Sequence, residues 1–486
     1  MSENARNKKK ISLGAAIGIF LFICVAVAAQ SALFHADMGT MFFICWVVLL
    51  PVAMRYGYTA EELMSASFEF IQKALPAVFI FLSAGALIGT WIAAGTTPTI
   101  IYYGILIINP YFFLLTSLIL CSAISLFTGS ASGTVGTAGI AMMGIGETLG
   151  VPAPITAATV VTGAFFGNRM SPLADTTILS TTVVGVHIFR HLKNQLWDQI
   201  PAYLIASAVF VFLGIQHVGN MDMAYTQSIV NALESHFSLG LPTLLPLVVT
   251  GFFLAKRKPA LLAVMAGAIT ATFVAVLYQG MPLAEAMNVF YKGYHMESDN
   301  PFMVTLLNRG GIGAMWSLAG ITLFGFAVAG LLQYIGVIGT LADTMIRRVK
   351  SIRSLTFLTL FLGFFGNAVS LSQNFAIVMT GTLVTPLYQK FNLQLKNCSR
   401  DLEAGGTYGA LFFPWNTNTI FAAGTLGVSA LDFIPYLTLL YVTPIILMIF
   451  AFTKFRMIKI YDDEDYVDVT ERLNKDPERL AMMGKE

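Results

Sequence analysis

The feature that most constrains this chain is an apolar stretch interrupted by polar and helix-breaking residues. It runs from Gly163 to Thr177 and reads GAFFGNRMSPLADTT. Arg169, Pro172 and Asp175 therefore stand inside a long apolar region. A charged side chain at the centre of a bilayer costs roughly 2.5–3.5 kcal/mol on insertion scales. Since folding alone gives no reason to keep Arg and Asp there, the stretch predicts a functional break in a membrane segment.

A second interrupted stretch resembles the first. It runs from Gly405 to Thr419, reads GGTYGALFFPWNTNT, and places Pro414 at an offset of 242 from Pro172 (414 − 172 = 242). Interrupted membrane segments at corresponding positions of two halves are the best sequence pointer to the binding site of a secondary transporter. The alternative is chance similarity between glycine-rich membrane segments. The pairs aligned at this offset include Gly163 with Gly405, Gly167 with Gly409, Thr177 with Thr419, and Gly185 with Gly427.

The composition places these breaks in a membrane protein. Of 486 residues, 56% are hydrophobic and 11% are charged, whereas a soluble domain carries about 25% charged residues. The net charge is +2, and no basic block resembles a nucleic-acid patch. The sequence has no Walker loop, dinucleotide fingerprint, CxxC or HExxH motif, and its four cysteines are scattered. We therefore expect an all-α polytopic membrane protein that is no enzyme, has no cofactor and binds no nucleic acid.

Basic loops suggest how the chain crosses the membrane, because Lys and Arg concentrate on the cytoplasmic side. The run 11–30 follows Lys8–Lys10 and is interpreted as an uncleaved first span, with a signal peptide as the alternative. Apolar runs of sufficient length give about fourteen membrane segments. Both termini are then cytoplasmic, in the cell (inner) membrane. The Gly/Ser/Thr-rich run 128–150 is either a full span or a re-entrant hairpin, and the basic residues 190–193 favour the span.

The chain divides into two repeats with flanking parts. Residues 75–216 form the first repeat and residues 317–453 the second. Span 75–94 meets an uncharged turn, whereas its partner, 317–339, leads to Arg347 and Arg348, which predicts opposite membrane orientations. Inverted repeats with paired discontinuous helices are typical of alternating access. The other predicted parts are N-terminal spans with a cytoplasmic amphipathic helix at 55–73 (1–74), connecting spans and an external loop (217–316), and a cytosolic tail (454–486).

The oxygen atoms at the breaks indicate a site for a hard cation such as Na⁺. Burial favours the neutral form of a carboxylic acid, whereas a nearby cation favours the charged form. Asp175 could therefore hold either H⁺ or Na⁺, which is the chemistry of an exchanger. Alternatively, Asp175 only caps a half-helix or pairs with Arg169 as a structural strut. The predicted ion-binding residues are Asp175, Asn168, Ser171, Thr176 and Thr177 in the first break and Asn416, Thr417, Asn418 and Thr419 in the second.

A second group of polar residues could bind a substrate or supply a partner charge. Each also has a structural explanation: Glu403 could be neutralised by Arg400, and small hydroxyl residues can pack between membrane helices. Glu147 could simply reach the membrane interface. The candidate residues of this group are Arg169, Glu403, Ser130, Ser132, Gln373 and Asn374.

Several stretches closely resemble the NhaC family of Na⁺/H⁺ antiporters, within the ion-transporter superfamily. They are IIYYGILIINPYFF, GIAMMGIGETLGVPAPITA, GNRMSPLADTT, FPWNTNT and AAGTLGV. The resemblance implies secondary active transport in a cytoplasmic membrane, usually of Na⁺ against H⁺, although some relatives move organic acids or amino acids. The family pattern commonly reads GDKMSPLSDTT, with an acid where this chain has Asn168. This departure puts the proton stoichiometry in doubt and leaves Arg169 less neutralised.

Two functional hypotheses follow. The first is a Na⁺/H⁺ antiporter that works by alternating access, with Asp175 as the shared site. The second is a Na⁺-coupled transporter or exchanger of a small organic acid or amino acid, with Arg169 as the anion partner. A channel or a non-transporting sensor explains paired inverted breaks poorly. The expected partners are the lipid bilayer, small ions, a small carboxylate under the second hypothesis, and a second copy of the chain in a homodimer.

Overall fold

A computed structural model describes residues 9–29, 38–218, 223–256, 258–297, 303–304 and 307–460. Lys8, Arg257 and the predicted tail from residue 461 onward lie outside the described residues. The described chain is helical, with one isolated extended bridge between Leu393 and Lys459. The predicted all-α class is therefore confirmed.

The helices follow one another in this order. They are α1 (Leu13–Ala29), α2 (Met38–Met54), α3 (Ala60–Ala93), α4 (Thr96–Ile107), α5 (Phe113–Thr128), α6 (Ala131–Thr134), α7 (Ile140–Thr148), α8 (Ala153–Met170), α9 (Asp175–Val184), α10 (Ile188–Val218), α11 (Met223–His236), α12 (Leu245–Ala255), α13 (Ala260–Leu277), α14 (Leu283–Lys292), α15 (Trp316–Tyr334), α16 (Val337–Ile346), α17 (Ile352–Ser370), α18 (Gln373–Lys390), α19 (Leu395–Glu403), α20 (Gly409–Phe412), α21 (Thr417–Leu426), α22 (Ala430–Phe433) and α23 (Thr438–Thr453). Two π-helical turns, Val135–Gly139 and Ala404–Tyr408, join α6 to α7 and α19 to α20.

Membrane crossing is supported by helix length and composition. Among the described residues, six helices are long and apolar enough to span a bilayer, or up to eight if each of two bent pairs counts as one span. The chain is therefore a multi-pass membrane protein. The predicted number of fourteen segments is not confirmed.

Helix α3 joins two segments that the sequence analysis separated. Its 34 residues include most of the predicted amphipathic helix and nearly all of the span that follows. A reciprocal capping box between Thr59 and Glu62 begins the helix, and Pro76 lies inside it. At 1.5 Å per residue α3 is about 51 Å long, whereas a bilayer core is about 30 Å thick. The predicted boundary at residue 74 thus falls within one continuous helix.

The repeat is visible in the backbone at two sharp turns. Gly129 ends α5 with a φ of +68°, and Leu371 ends α17 with a φ of +57°; their offset is again 242 (371 − 129). Each turn is the tip of a helical hairpin, α5 with α6–α7 and α17 with α18. A broken segment follows each hairpin: α8 and α9 are interrupted at 171–174, and α20 and α21 at 413–416.

Equivalent contacts hold each broken segment against its hairpin. A Cβ atom added to Gly163 would lie 2.6 Å from the Leu118 carbonyl oxygen, and one added to Gly405 would lie 3.0 Å from that of Leu360. These four residues are related in pairs by the same offset, since 360 − 118 = 242. Likewise, Ser125 Oγ donates to the Ala164 carbonyl at 2.5 Å, and Asn367 Nδ2 donates to the Gly406 carbonyl at 2.7 Å. Close backbone approach is what small residues permit between membrane helices.

The two halves also pack into each other reciprocally. Gly381 on α18 faces Val183 on α9, and its counterpart Gly139 (381 − 242) faces Leu426 on α21. Each helix after a break therefore contacts the hairpin of the other half, as a two-fold relation requires. Gly136 and Gly139 face Phe421 and Leu426 in that order, so α21 runs in the direction of α7. Because α7 turns back into α8, α21 runs opposite to α8, as expected for inverted halves.

Candidate functional site

A cavity of about 490 Å³ lies beside the first break. Its wall combines the tip of the first hairpin, the end of α8, the start of α9, the α12–α13 connection and two residues of the second half. The polar side chains of the wall are those of Thr128, Ser130, Ser132, Asn168, Asp175, Lys258, Gln373 and Asn418.

Asp175 begins α9, and its exposed side chain lines this cavity. The Thr176 backbone N–H donates to Asp175 Oδ1 at 2.9 Å. The Asn374 side chain, at the start of α18, lies near the same carboxylate. Asp175 therefore stands at the first position of α9 and faces the cavity, next to a residue of the opposite half.

Asn168 ties the hairpin tip to the break. Its Nδ2 donates to the Gly129 carbonyl at 2.9 Å, and its Oδ1 accepts from Thr176 Oγ1 at 3.1 Å. The tip lies so close to the break that a Cβ added to Gly129 would be 2.8 Å from the Leu173 carbonyl carbon. An amide makes both bonds at once, whereas an ionised carboxylate could only accept. Asn168 therefore connects α8, α9 and the tip at any pH.

Two other predicted ligands of the first break turn away from the cavity. Ser171 is buried, and its Oγ accepts from the Leu173 N–H at 3.2 Å. Thr177 is also buried, and its Oγ1 donates to Glu403 Oε1 at 2.9 Å. Neither residue lines the cavity.

The polar groups of the second break mostly bond to the second hairpin and to nearby backbone. Asn416 Nδ2 donates to Asn367 Oδ1 at 2.9 Å, and Thr417 donates to the Leu371 carbonyl through N and Oγ1 at 3.1 and 3.0 Å. Thr419 Oγ1 donates to the Ala410 carbonyl at 2.8 Å. Among the four predicted residues of this break, Asn418 reaches the cavity, where its Nδ2 donates to Gln373 Oε1 at 3.1 Å.

Behind the break lies a buried charge cluster, which we define as Arg169, His191, Asp198, Arg400, Asp401 and Glu403; all six side chains are fully buried. Arg169 Nη1 is 3.3 Å from Asp198 Oδ2, and Arg169 Nη2 donates to the Arg400 carbonyl at 3.1 Å. The Arg169 guanidinium also lies 5.1 Å from the centre of the Tyr408 ring. Arg169 thus faces the protein interior and pairs with Asp198, whereas Asp175 faces the cavity.

The rest of the buried charge cluster links the two halves. His191 Nε2 is 2.6 Å from Glu403 Oε2, and His191 Nδ1 is 2.9 Å from Ser399 Oγ. The Arg400 side chain is 2.9 Å from Asp401 Oδ1, and the Tyr388 hydroxyl donates to Asp401 Oδ2 at 2.8 Å. Buried charges need such partners because an unpaired one is strongly destabilising.

Sequence reasoning missed Asp198 and Lys258 as site residues and used His191 only as a marker of membrane side. A signal was present for two of them: His191, Gln195 and Asp198 recur at helical spacing near the start of α10, which puts them on one face. For Lys258 the signal was weaker, because a basic loop between two spans is normally read only as topology.

Comparison with known proteins identifies the family. The chain matches the profile of the Na⁺/H⁺ antiporter family over residues 4–196 and 166–455. This chain belongs to the Na⁺/H⁺ antiporter family. The family prediction made from the sequence motifs is thereby confirmed.

Individual relatives align over nearly the whole chain. It is 35% identical over 438 residues to the malate-2H⁺/Na⁺-lactate antiporter of Bacillus subtilis, covering 90% of this chain and 93% of the relative. It is 34% identical over 412 residues to the Na⁺/H⁺ antiporter NhaC of Alkalihalophilus pseudofirmus, covering 84% and 89%. It is 31% identical over 465 residues to the arginine/ornithine antiporter ArcD of Halobacterium salinarum, covering 94% and 95%.

Among solved structures, the YdaH transporter of Alcanivorax borkumensis superposes with a TM-score of 0.38 at 13% identity. The superposition covers 87% of this chain and 100% of that one.

Proposed function

We propose that this chain exchanges Na⁺ for H⁺ by alternating access and that Asp175 is the site the two ions share. The observation that carries the proposal is the position of the Asp175 carboxylate, which is exposed to a 490 Å³ cavity at a helix break. A carboxylate there binds Na⁺ when charged and H⁺ when neutral, so the two ions compete. Such competition is sufficient for exchange.

The residues around Asp175 suit a hard cation. The neutral polar groups of the wall include the hydroxyls of Ser130 and Ser132 and the amide oxygens of Asn168 and Asn418. Oxygen ligands of this kind are those that hard cations prefer. Asn418 and Gln373 belong to the second half, so a change in the packing between halves would alter the site. We assign the ion to these groups rather than to Ser171 and Thr177.

The basic loops support a location in the cell membrane with both termini in the cytoplasm. The described lysines 256, 258 and 390 and Arg347 then lie on the same side. On this assignment the cavity, whose wall includes Lys258, opens toward the cytoplasm. A homodimer stays a prediction.

Vesicles that contain a pH-sensitive dye test the proposal. A Na⁺ pulse should move protons in wild-type vesicles, and Asp175→Asn should abolish this response. Asp343→Asn is the matched control, because Asp343 is an exposed carboxylate on α16 away from the cavity. Wild-type exchange in Asp175→Asn would refute the assignment of Asp175.

A second candidate function is Na⁺-coupled movement of a small organic acid or amino acid. Names of relatives support it, since the B. subtilis relative is a malate-2H⁺/Na⁺-lactate antiporter and the H. salinarum relative an arginine/ornithine antiporter. Arg169, the anion partner that the sequence suggested, already faces Asp198 inside the protein. An anionic substrate in the cavity would therefore need a different cation.

A further inference from the structure

We infer that Lys258 binds the carboxylate of a small organic substrate in the cavity that contains Asp175. This inference rests on the proposed function, because it places the organic substrate beside the ion that Asp175 binds. It adds a residue and a role that the sequence did not indicate.

The size of the cavity is the first argument. One water molecule takes up about 30 Å³ in the liquid, and a bare cation needs no more than that. The cavity measures about 490 Å³, which lies within the range of about 300–1,000 Å³ found for small-molecule sites. Room therefore remains beside a bound Na⁺ for a molecule of several non-hydrogen atoms.

The charges of the wall are the second argument. Among the described residues that line the cavity, Asp175 and Lys258 are the two with ionisable side chains. The anionic Asp175 suits Na⁺, and the cationic Lys258 suits a carboxylate, so the wall can hold two ligands of opposite charge. Hydrogen-bonding groups for the remainder of the substrate come from Ser130, Ser132 and Gln373.

The position of Lys258 is the third argument. It lies in the short connection between α12 and α13, and its N–H donates to the Phe253 carbonyl at 3.0 Å, which holds its backbone. The lysine ammonium group is a point charge on a flexible stem, so it can adjust its position to a bound carboxylate. Lys256, two residues earlier, instead lies 5.7 Å from the centre of the Phe252 ring and does not line the cavity.

The chemical class of the substrate follows from what the relatives' substrates share. Lactate, malate, arginine and ornithine, the molecules in the names of two relatives, all carry a carboxylate next to a carbon that bears a hydroxyl or an amino group. A lysine opposite a carboxylate forms a charge-assisted hydrogen bond, one of the stronger polar interactions available. We therefore assign to Lys258 a small 2-hydroxy or 2-amino carboxylate.

The test uses purified full-length protein in vesicles and two readouts. The first is Na⁺-driven proton movement in the absence of any carboxylate. The second is uptake of labelled L-lactate, L-malate, L-arginine or L-ornithine, each offered alone with and without a Na⁺ gradient. The variants are Lys258→Gln, Lys258→Arg as the conservative change and Lys256→Gln as the matched control.

The expected result separates the two readouts. At least one labelled carboxylate enters wild-type vesicles in a Na⁺-dependent way. Its KM rises about tenfold or more in Lys258→Gln, because a charge-assisted hydrogen bond is lost. Lys258→Arg and Lys256→Gln keep a KM close to wild type, and carboxylate-free exchange is retained in all three variants.

Several outcomes would overturn the inference. Carboxylate-free exchange without uptake of any of the four compounds would remove the organic substrate and leave the proposed function intact. Uptake with the same KM in Lys258→Gln and Lys256→Gln would place the carboxylate elsewhere. Uptake without carboxylate-free exchange would refute the proposed function, and the KM comparison would still decide the role of Lys258.

Discussion

Arg169 and Asp198 form an ion pair of 3.3 Å in which both side chains are fully buried. Arg169 lies in the last turn of α8, directly before the break, and Asp198 lies on α10. The ion pair therefore holds the end of α8 on the side of the protein interior. Asp175, on the other side of the break, faces the cavity. The arginine that first suggested an anion site thus has a positioning role, and the carboxylate that faces the cavity remains available to a cation.

The first prediction concerns the stability that this pair provides. Asp198→Asn leaves the Arg169 charge buried without its partner, so we expect the free energy of unfolding to fall by about 3–5 kcal/mol. The exposed pair of Lys73 and Glu69, 3.1 Å apart, is the control, and Lys73→Ala should change stability by about 0–1 kcal/mol. Unfolding titrations in detergent micelles measure both values.

A double variant distinguishes a buried ion pair from general sensitivity of this region. Replacing both partners, as in Arg169→Met with Asp198→Leu, removes both charges and should cost less than the sum of the single changes. If the two single changes simply add, Arg169 and Asp198 do not stabilise each other, and the positioning role is wrong.

Much of the fold could be predicted from the interrupted stretches. The offset between Pro172 and Pro414 is the one that relates Gly163 to Gly405 and Ser125 to Asn367 in space. The counterpart of Gly129 was not found, because it is Leu371. A leucine rarely adopts a positive φ, so a search for matching glycines passes over it.

The structure also shows why the basic loops could not decide between a span and a hairpin. The apolar run 110–128 by itself predicts a crossing, so the sequence left open only whether 128–150 is another. In the structure α5 and α6–α7 are the two arms of one hairpin, with its tip beside the break. Two full crossings and one re-entrant hairpin both return the chain to the side it left. The residues 190–193 therefore stay on the same side in either case.

The partners of the buried charges could not be predicted for a different reason. Asp198 and Arg169 are on different helices, and Glu403 meets His191 from the other half of the chain. Periodicity indicates which residues share a face of one helix, but the neighbouring helix depends on tertiary packing. Whether Ser171 or Asp175 faces the cavity likewise depends on the path of the backbone through the break.

The second prediction tests the close approach of α5 and α8. A Cβ at Gly163 would meet the Leu118 carbonyl oxygen at 2.6 Å, so Gly163→Ala should destabilise the protein by about 1–3 kcal/mol through overpacking. Gly405→Ala, with 3.0 Å to Leu360, should destabilise less. Gly251→Ala on α12, where nothing lies within 4 Å, should be neutral or stabilising. The order of the three midpoints of thermal unfolding checks these close approaches, and equal midpoints in all three variants would contradict them.

The third prediction concerns the family acid that this chain lacks. Asn168→Asp removes the donor to the Gly129 carbonyl, so we expect a loss of about 0.5–1.5 kcal/mol at alkaline pH. The loss should shrink at low pH, where a protonated acid can donate again. Asn109→Asp is the control, because Asn109 only accepts, from the Tyr111 N–H at 3.0 Å. Thermal unfolding across pH measures the difference, and a pH-independent loss in Asn168→Asp would count against the bond.

The same substitution provides a functional readout. It adds a second ionisable oxygen group to the wall that contains Asp175. If protons compete with Na⁺ at this wall, the number of H⁺ exchanged per Na⁺ should rise. Reversal potentials of exchange in vesicles measure the ratio, and an unchanged ratio would show that position 168 takes no part in proton binding.

The fourth prediction concerns an ion pair at the far end of the first hairpin. Arg309 Nη2 is 3.3 Å from Glu147 Oε2, and both side chains are partly exposed, at 31% and 22%. Arg309 precedes α15, Glu147 lies near the end of α7, and a Cβ at Gly427, after α21, would be 3.3 Å from Arg309 Nη1. The pair therefore connects three elements. From the rise of about 1.5 Å per residue along α6–α7, it lies roughly 25 Å from the hairpin tip.

Alternating access requires contacts of this kind to break in one of the two states, so we expect Glu147→Gln to act on transport more than on stability. The pair is partly exposed, and its loss should cost about 0–1 kcal/mol of unfolding free energy. If the ion pair forms only in the state described here, the loss of up to about 1 kcal/mol lowers the population of that state. The apparent affinity for Na⁺ on the side of the membrane where Lys258 lies should then weaken by up to about fivefold. Combining Glu147→Arg with Arg309→Glu should restore the affinity, whereas equal affinities in wild type and Glu147→Gln would show that the pair persists in both states.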